Sequence, residues 1–222
     1  MGIPCLILGE SGSGKTYSIK TLNPQKTGIF LVEKPRLPFR GEFPYLLRNA
    51  TYKKIIGSLS AAKLTTYVID DSQYLLANDF FDRAAETGYQ KFTDLALNFR
   101  NLIQFVIRNT PDNVIVYFLH HTETDANGKL KAKTIGKMLD EKLTVEGCFD
   151  IVLRTYIENG DHYFLTNSNG NDTIKSPEDM FPERIPNNLG EVDKTIREYW
   201  GLTDAVQKKE NGAAVTTSDK LE

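Results

Sequence analysis

Short apolar runs alternate with amphipathic stretches along most of this chain. Four mainly apolar runs are typical of strands buried on both faces, and they cover residues 3–8, 29–32, 65–70 and 114–119. Residues 79–108 instead repeat apolar side chains at three- and four-residue steps, the spacing of one buried helix face, with an interruption expected at Gly88. Strands that alternate with helices predict an α/β fold with a mainly parallel central sheet.

The second half of the chain mixes shorter elements. Helices are predicted in part of 47–63 and over 135–143 and 192–202. Residues 149–154 and 163–166 read as two strands, and the second begins just after an Asn159-Gly160 turn. We therefore expect a C-terminal β-hairpin extension of the sheet.

Composition places the chain among ordinary globular proteins. Of its 222 residues, 40% are hydrophobic and 25% are charged, and the net charge is −2. We expect one domain over residues 1–204 and a disordered tail over 205–222, which is low in apolar bulk. Two cysteines indicate a reducing compartment without a disulfide framework. No apolar run approaches the ~18 residues needed to span a membrane, and a motif beginning at residue 9 leaves no room for a cleaved signal peptide, so we expect a cytoplasmic protein.

The first strand runs directly into a glycine-rich loop and a predicted helix start. The loop is Gly9-Glu10-Ser11-Gly12-Ser13-Gly14-Lys15-Thr16, which matches G-x-x-x-x-G-K-[ST], the phosphate-binding loop of P-loop NTPases. Its glycines permit positive φ and bring amides close to an anion. We predict that residues 9–17, ending at Tyr17, bind ATP, with Lys15 bridging the phosphates and Thr16 completing a Mg²⁺ shell. The alternative is a glycine and serine turn that binds nothing.

Acidic residues close two other predicted strands. Glu33 follows the second, which we expect next to the loop-bearing strand, where ligands bind in open α/β sheets. Asp70 ends the third apolar run, as the Walker B acid that holds the Mg²⁺ water shell does. Glu33 is the candidate general base for water, and Asp71 is its rival. Otherwise, Glu33 is an exposed loop acid and the two aspartates cap the following helix.

The fourth strand runs into two histidines, His120 and His121. P-loop ATPases often place a polar sensor of the γ-phosphate here, and we assign that role to His121, with His120 as the alternative. Both histidines could instead face solvent. Their spacing to Glu123 and His162 does not indicate a zinc site.

Several basic residues lie outside these motifs. A polar turn carries a small basic patch that either faces DNA or is simply solvated: Lys129, Lys131 and Lys133. Arg154 and Lys175 lie beyond the core strands, where either could reach a phosphate in a neighbouring subunit. Lone basic residues are more often surface charges.

The order of these motifs resembles the RecA-type ATPase core. Three later segments are similar to a phage ATP-binding protein family with a stand-alone RecA core, whose members are linked to single-strand annealing: 118–123, 134–139 and 175–177. The resemblance covers residues 1–202 and implies a three-layer fold, with Glu33 as the catalytic glutamate and His121 as the sensor. The stretch after the sensor strand is short and only mildly basic, which favours weak single-strand binding, assisted by a single-strand binding protein, over autonomous strand exchange.

The resulting hypothesis is a slow, Mg²⁺-dependent RecA-like ATPase that acts on single-stranded DNA in phage recombination or replication. We expect it to be a homo-oligomer that completes its active site between subunits. The alternatives are an AAA+ helicase loader, a nucleotide or small-molecule kinase that uses Arg154 and Lys175 to bind the acceptor, and a binding module that never hydrolyses nucleotide. Strands at 149–166 argue against the helical lid of an AAA+ protein.

Overall fold

The computed structural model describes residues 1–135 and 144–203. Most of the helix predicted at 135–143 and the whole tail at 205–222 lie outside the described residues. The strands are β1 (Ile3–Gly9), β2 (Thr27–Leu31), β3 (Tyr45–Arg48), β4 (Thr66–Asp70), β5 (Ile115–Thr124), β6 (Leu130–Ala132), β7 (Ile151–Glu158), β8 (Asp161–Leu165) and β9 (Arg184–Pro186). The α-helices are α1 (Tyr52–Ala61), α2 (Gln73–Asp82), α3 (Gln90–Asn109) and α4 (Leu189–Trp200).

One sheet joins the strands in the order β3-β2-β4-β5-β1-β7-β8-β9, and β6 pairs with the end of β5. The pairings from β3 through to β7 are parallel. The last two pairings, β7 with β8 and β8 with β9, are antiparallel. The fold is thus α/β with a mostly parallel central sheet. Two strands, β4 and β5, separate β2 from β1, so the expectation that β2 lies next to the loop-bearing strand is wrong.

Helices cover both faces of the sheet because side chains alternate along each strand. On β1, Leu6 and Leu8 pack in a cluster with α1, α2 and α3, whereas Cys5 and Ile7 pack in a second cluster with α4. Both clusters are almost entirely apolar, which explains why the strands read as continuous hydrophobic runs rather than as alternating ones. The structure therefore has three layers.

The four predicted buried strands are confirmed, with β5 extending beyond residue 119. The helical stretch predicted at 79–108 is two helices, and Gly88, which has φ +90°, lies between them. Residues 47 and 48, predicted as part of a helix, belong to β3. Helix α1 begins only after Thr51, which caps it by accepting a hydrogen bond from the Lys54 amide. Within residues 1–135 and 144–203, no helix is both long enough and apolar enough to cross a membrane.

Candidate functional site

Strand register brings three predicted residues to one edge of the sheet. Gly9 at the end of β1 lies beside His121 of β5, and Leu31 at the end of β2 lies beside Asp70 of β4. These strands are parallel, so their carboxyl ends meet at the edge where open α/β sheets bind ligands. The glycine-rich loop starts from the same edge.

The loop surrounds a pocket of about 220 Å³. Gly12 and Gly14 have φ of +80° and +98°, values that only glycine adopts without strain. The segment that follows is a 3₁₀ helix, Thr16–Thr21, rather than an α-helix. Such a short helix adds little dipole, so anion binding here depends on the loop amides and on Lys15. Tyr17 lines the pocket and is half exposed.

Lys15 is buried under the loop that carries it. Its ammonium donates hydrogen bonds of 2.8 Å to the carbonyl oxygens of Gly9 and Glu10. Burial lowers the pKa of Lys15 to about 8, although Asp71 and Asp70 act in the opposite direction. A buried cation held only by neutral carbonyls is well placed to bind an anion that enters the pocket.

Thr16 and Asp70 are in direct contact. The Thr16 hydroxyl donates a 2.8 Å hydrogen bond to Asp70 Oδ1, across 54 residues of sequence. Asp70 is buried, and this burial together with the neighbouring Asp71 raises its pKa to about 6. A hydroxyl beside a carboxylate offers hard oxygen ligands of the kind that Mg²⁺ takes from a protein.

Asp71 lines the pocket together with two side chains that contact its carboxylate. Its Oδ1 lies 3.2 Å from His121 Nε2, and its Oδ2 lies 3.3 Å from Lys34 Nζ. Burial alone would raise the pKa of Asp71, but the bond from His121 and the charge of Lys34 lower it overall. Asp71 also has φ +58°, a left-handed conformation that aspartate tolerates. Asp71 is therefore an ionised acid at the pocket wall.

Glu33 lies at the carboxyl end of β2, just after buried Val32, but it does not line the pocket. It is exposed, and its Oε2 accepts a long hydrogen bond of 3.5 Å from Asn78 of α2. The next residue, Lys34, lines the pocket instead. The structure thus brings together Lys15, Thr16, Asp70, Asp71 and His121, and places Glu33 beside this group.

The two histidines of β5 have different surroundings. His120 is fully buried on the other side of the strand, between the Ser72 hydroxyl at 2.9 Å and the Lys133 carbonyl at 2.8 Å. Burial lowers the pKa of His120 to about 4, which keeps it neutral. Only His121 of this pair lines the pocket.

The basic residues predicted outside the motifs do not reach the pocket wall. Arg154 donates a 3.0 Å hydrogen bond to buried Asp172, and Lys175 is exposed. In the β5–β6 hairpin, Lys131 forms an ion pair of 3.1 Å with Glu123. The other two lysines of that patch, Lys129 and Lys133, flank β6, and the Lys133 amide bonds to the His121 carbonyl.

Contacts behind the loop escaped the sequence analysis. Thr155 of β7, His162 of β8 and Asn187, just after β9, all hydrogen-bond to the loop. They lie 142 to 173 residues from their partners, and no local pattern marks them. The role of Lys34 was also missed, although its position directly after Glu33 was a usable signal.

A second buried polar cluster lies at the opposite, amino-terminal edge of the sheet. Asp193 of α4 accepts hydrogen bonds from Arg197 at 2.7 Å and from Thr66 and Tyr117 at 3.1 Å each. Arg197 also donates to the carbonyl oxygens of Asn113 and Thr65, both at 2.9 Å. A cavity of about 590 Å³ adjoins this cluster and is larger than the loop pocket. Its size alone does not indicate chemistry, because the polar groups of the cluster bind one another.

The side chains at the loop pocket fit Mg²⁺ better than they fit a metal ion that is coordinated entirely by protein side chains. Within the part of the chain that the structure describes, no group of three or more histidine, cysteine or acidic side chains is arranged to hold a metal. Thr16 and Asp70 supply one hydroxyl and one carboxylate. Mg²⁺ often takes only one or two protein ligands and fills its shell with water and substrate phosphate oxygens.

No known protein-family model matches this sequence, and no curated protein matches it either.

Proposed function

We propose that the protein is a RecA-like, Mg²⁺-dependent ATPase. The observation that carries this proposal is the 2.8 Å hydrogen bond from Thr16 to Asp70 at the foot of a glycine-rich loop. It joins the hydroxyl of the G-K-T end of the loop to the acid that ends a parallel strand, which is the pairing expected of a phosphate-binding loop and a Walker B acid.

Each residue of the pocket has a distinct role in this proposal. Loop amides and the Lys15 ammonium bind the phosphates, and Lys15 exchanges its two carbonyl partners for phosphate oxygens. Thr16 and Asp70 are the residues that would hold Mg²⁺. Bound there, Mg²⁺ would neutralise charge that develops on the transferring phosphoryl group. The metal would also supply a positive charge next to Asp70, whose hydrogen-bond partner is the neutral Thr16 hydroxyl.

The acid that orients the attacking water is Asp71 or Glu33. The geometry favours Asp71, because it lies on the pocket wall and is held by His121 at 3.2 Å. Glu33 would first have to release Asn78 and turn inward. His121, which touches Asp71, is then the residue that couples the γ-phosphate position to that acid.

We further propose that single-stranded DNA is the polymer served by this ATPase, in the cytoplasm and as a homo-oligomer. The support is the motif resemblance to phage annealing proteins and the β5–β6 hairpin, whose first strand carries His121. Lys129 and Lys131 are the candidate contacts, and Lys131 would exchange Glu123 for a DNA phosphate. A contact between subunits through Arg154 would likewise require it to leave Asp172.

Phosphate release from Mg²⁺·ATP tests this function directly. We expect slow turnover that single-stranded DNA stimulates, that requires Mg²⁺, and that Asp71→Asn abolishes while ATP binding is retained. Glu33→Gln is the matched comparison, since loss of phosphate release in that variant and not in Asp71→Asn would make Glu33 the water-orienting acid. Transfer of the phosphoryl group to a nucleotide acceptor, with no hydrolysis of ATP by water, would make the protein a kinase and refute the proposal.

A further inference from the structure

Three polar side chains from the antiparallel end of the sheet contact the glycine-rich loop from outside the pocket. We call Thr155, His162 and Asn187 the supporting residues. The Thr155 hydroxyl lies 2.6 Å from Ser13 Oγ, which itself donates to the Glu10 carbonyl at 2.7 Å. His162 Nδ1 lies 3.1 Å from the Ser13 carbonyl oxygen. These residues form a continuous set of contacts along one side of the loop.

The contact of His162 has a defined donor. A carbonyl oxygen can only accept, so the proton must lie on Nδ1 of His162. The Nδ1 proton is present both in this neutral tautomer and in the imidazolium ion. Asn187 adds a 3.3 Å bond from its side-chain amide to the Gly14 carbonyl oxygen, which also accepts from the Ser18 amide.

Peptide planarity carries these contacts to the phosphate side of the loop. In a trans peptide unit, the C=O and the following N–H point in opposite directions. Holding the Ser13 carbonyl towards His162 therefore directs the Gly14 N–H away from it, and holding the Gly14 carbonyl towards Asn187 does the same for the Lys15 N–H. Gly14 and Lys15 both line the pocket, so these amides are available to an anion there.

Packing leaves little space at this point. A Cβ at Gly14 would lie 2.5 Å from Asn187 Nδ2 and 2.9 Å from His162 Nδ1, and its φ of +98° would be strained for any other residue. At Gly12, by contrast, an added Cβ meets nothing within 4 Å. His162 and Asn187 thus touch the loop at its second positive-φ glycine, a residue type whose backbone is otherwise free to rotate.

We propose that His162 and Asn187 are positioning residues for nucleotide binding, which fix the peptide planes whose N–H groups bind the phosphates. This inference rests on the proposed nucleotide site and gives β8 and β9 a function beyond extending the sheet. His162 contributes most, because the Ser13 carbonyl has His162 as its hydrogen-bond donor, whereas the Gly14 carbonyl retains Ser18 when Asn187 is removed.

A set of substitutions at residue 162 separates the donor from the side chain's bulk. Asparagine can place an amide N–H where Nδ1 lies, whereas glutamine reaches further, towards the position of Nε2. We expect His162→Ala and His162→Gln to weaken Mg²⁺·ATP and Mg²⁺·ADP binding about fivefold, as loss of one hydrogen bond does. His162→Asn should restore the affinity to within about twofold of the unchanged protein. Asn187→Ala should cost about twofold.

The measurements are nucleotide affinity by fluorescence titration and the thermal unfolding midpoint without nucleotide. Arg184→Ala is the control, because Arg184 lies on β9, pairs with Glu158 and leaves the loop untouched. The inference is supported if nucleotide affinity is high in the variants that keep an N–H donor at residue 162 where Nδ1 lies and low in those that lack it, while all variants have the same thermal unfolding midpoint. Two results would overturn this inference without affecting the nucleotide site. One is the same nucleotide affinity in all variants, and the other is a loss of affinity that accompanies a lower unfolding midpoint in His162→Asn and in Arg184→Ala. No saturable binding by the unchanged protein would overturn the nucleotide site as well.

Discussion

Aspartates at opposite edges of one sheet have different surroundings. At the amino-terminal edge, Asp193 is matched by Arg197 and two hydroxyl groups, and Arg197 is in turn bonded to carbonyl oxygens. At the carboxyl edge, Asp70 and Asp71 lie side by side, and Asp70 has only the Thr16 hydroxyl. Burial and the second carboxylate raise the pKa of Asp70 to about 6, which measures how incompletely its charge is balanced.

The difference separates a structural cluster from a candidate binding site. Buried charges cost free energy unless they are paired and hydrogen-bonded. The Asp193–Arg197 cluster meets this requirement within the protein and ties α4 to the sheet. At the other edge, Asp71 has Lys34 at 3.3 Å, whereas Asp70 is bonded to a neutral hydroxyl and the buried Lys15 ammonium to neutral carbonyls. A metal ion and a polyphosphate would satisfy both groups together.

Arg197→Ala should produce the largest change in stability. It leaves Asp193 with its hydroxyl partners but without its counter-ion, so we expect the free energy of unfolding to fall by about 3–5 kcal/mol. Urea denaturation measures this fall, and nucleotide affinity of the folded fraction should stay unchanged. Arg184→Ala, which removes the exposed pair with Glu158 and the contact with the Tyr163 ring, should lower stability far less. An equally small effect of Arg197→Ala would mean that the cluster is not structural.

Asp70→Asn should act in the opposite direction on stability. It removes a buried charge next to Asp71 and keeps an oxygen for Thr16, so the protein without nucleotide should gain about 2–3 kcal/mol at pH 7. Mg²⁺ affinity in the nucleotide complex should fall by about 10- to 100-fold. Denaturation and metal titration measure the two effects. Destabilisation by Asp70→Asn would show that the two edges do not differ as described.

The pH dependence of stability tests the charge of Asp70 without a substitution. The folded-state pKa of Asp70 is about 6, above the ordinary 3.8, so the folded protein binds the extra proton as pH falls. Stability from this group should rise by about 2 kcal/mol between pH 6 and pH 4. The Asp70→Asn variant should lack that rise. His120 acts in the other direction over the same range, because burial lowers its pKa to about 4, so the rise is measured as the difference between the unchanged protein and Asp70→Asn. The lowered pKa of Asp71 also removes stability, mainly below about pH 4.

Nucleotide affinity should depend on pH through Lys15, with the smallest effect of the four. Only the protonated ammonium binds phosphate strongly, and burial lowers the pKa of Lys15 to about 8. The affinity for Mg²⁺·ATP should therefore fall about fivefold between pH 8 and pH 9, above the range in which the phosphates titrate. Lys15→Arg provides the control, because a guanidinium keeps its proton throughout. A pH dependence that persists in Lys15→Arg would assign the titration to another group.

Local sequence signals predicted the centre of the molecule well. The four buried strands and the loop between β1 and the 3₁₀ helix depend on contiguous residues, and the acids at strand ends follow from the parallel arrangement. The length of the loop helix and the delayed start of α1 were not predicted, because propensity does not fix where a helix begins. Strand β3 was missed because it follows a proline-rich segment and pairs only along one edge.

The remaining features depend on distant contacts. Which of two adjacent histidines faces the pocket is decided by the alternation along β5, which sends His120 towards Ser72 and His121 towards Asp71. The supporting residues behind the loop depend on how β8 and β9 pair with β7. For Glu33, the strand that precedes it was predicted correctly, but the position of that strand in the sheet was not.

Calorimetric titration of Mg²⁺·ATP into the unchanged protein and into Lys15→Ala tests the central claim most directly. We expect saturable binding that requires Mg²⁺, and at least about 100-fold weaker binding by Lys15→Ala, since a buried charge-assisted contact to phosphate is removed. Thermal unfolding without nucleotide should confirm that the variant is folded. Absence of binding by the unchanged protein, or the same affinity in both proteins, would contradict the assignment of this loop as a nucleotide site.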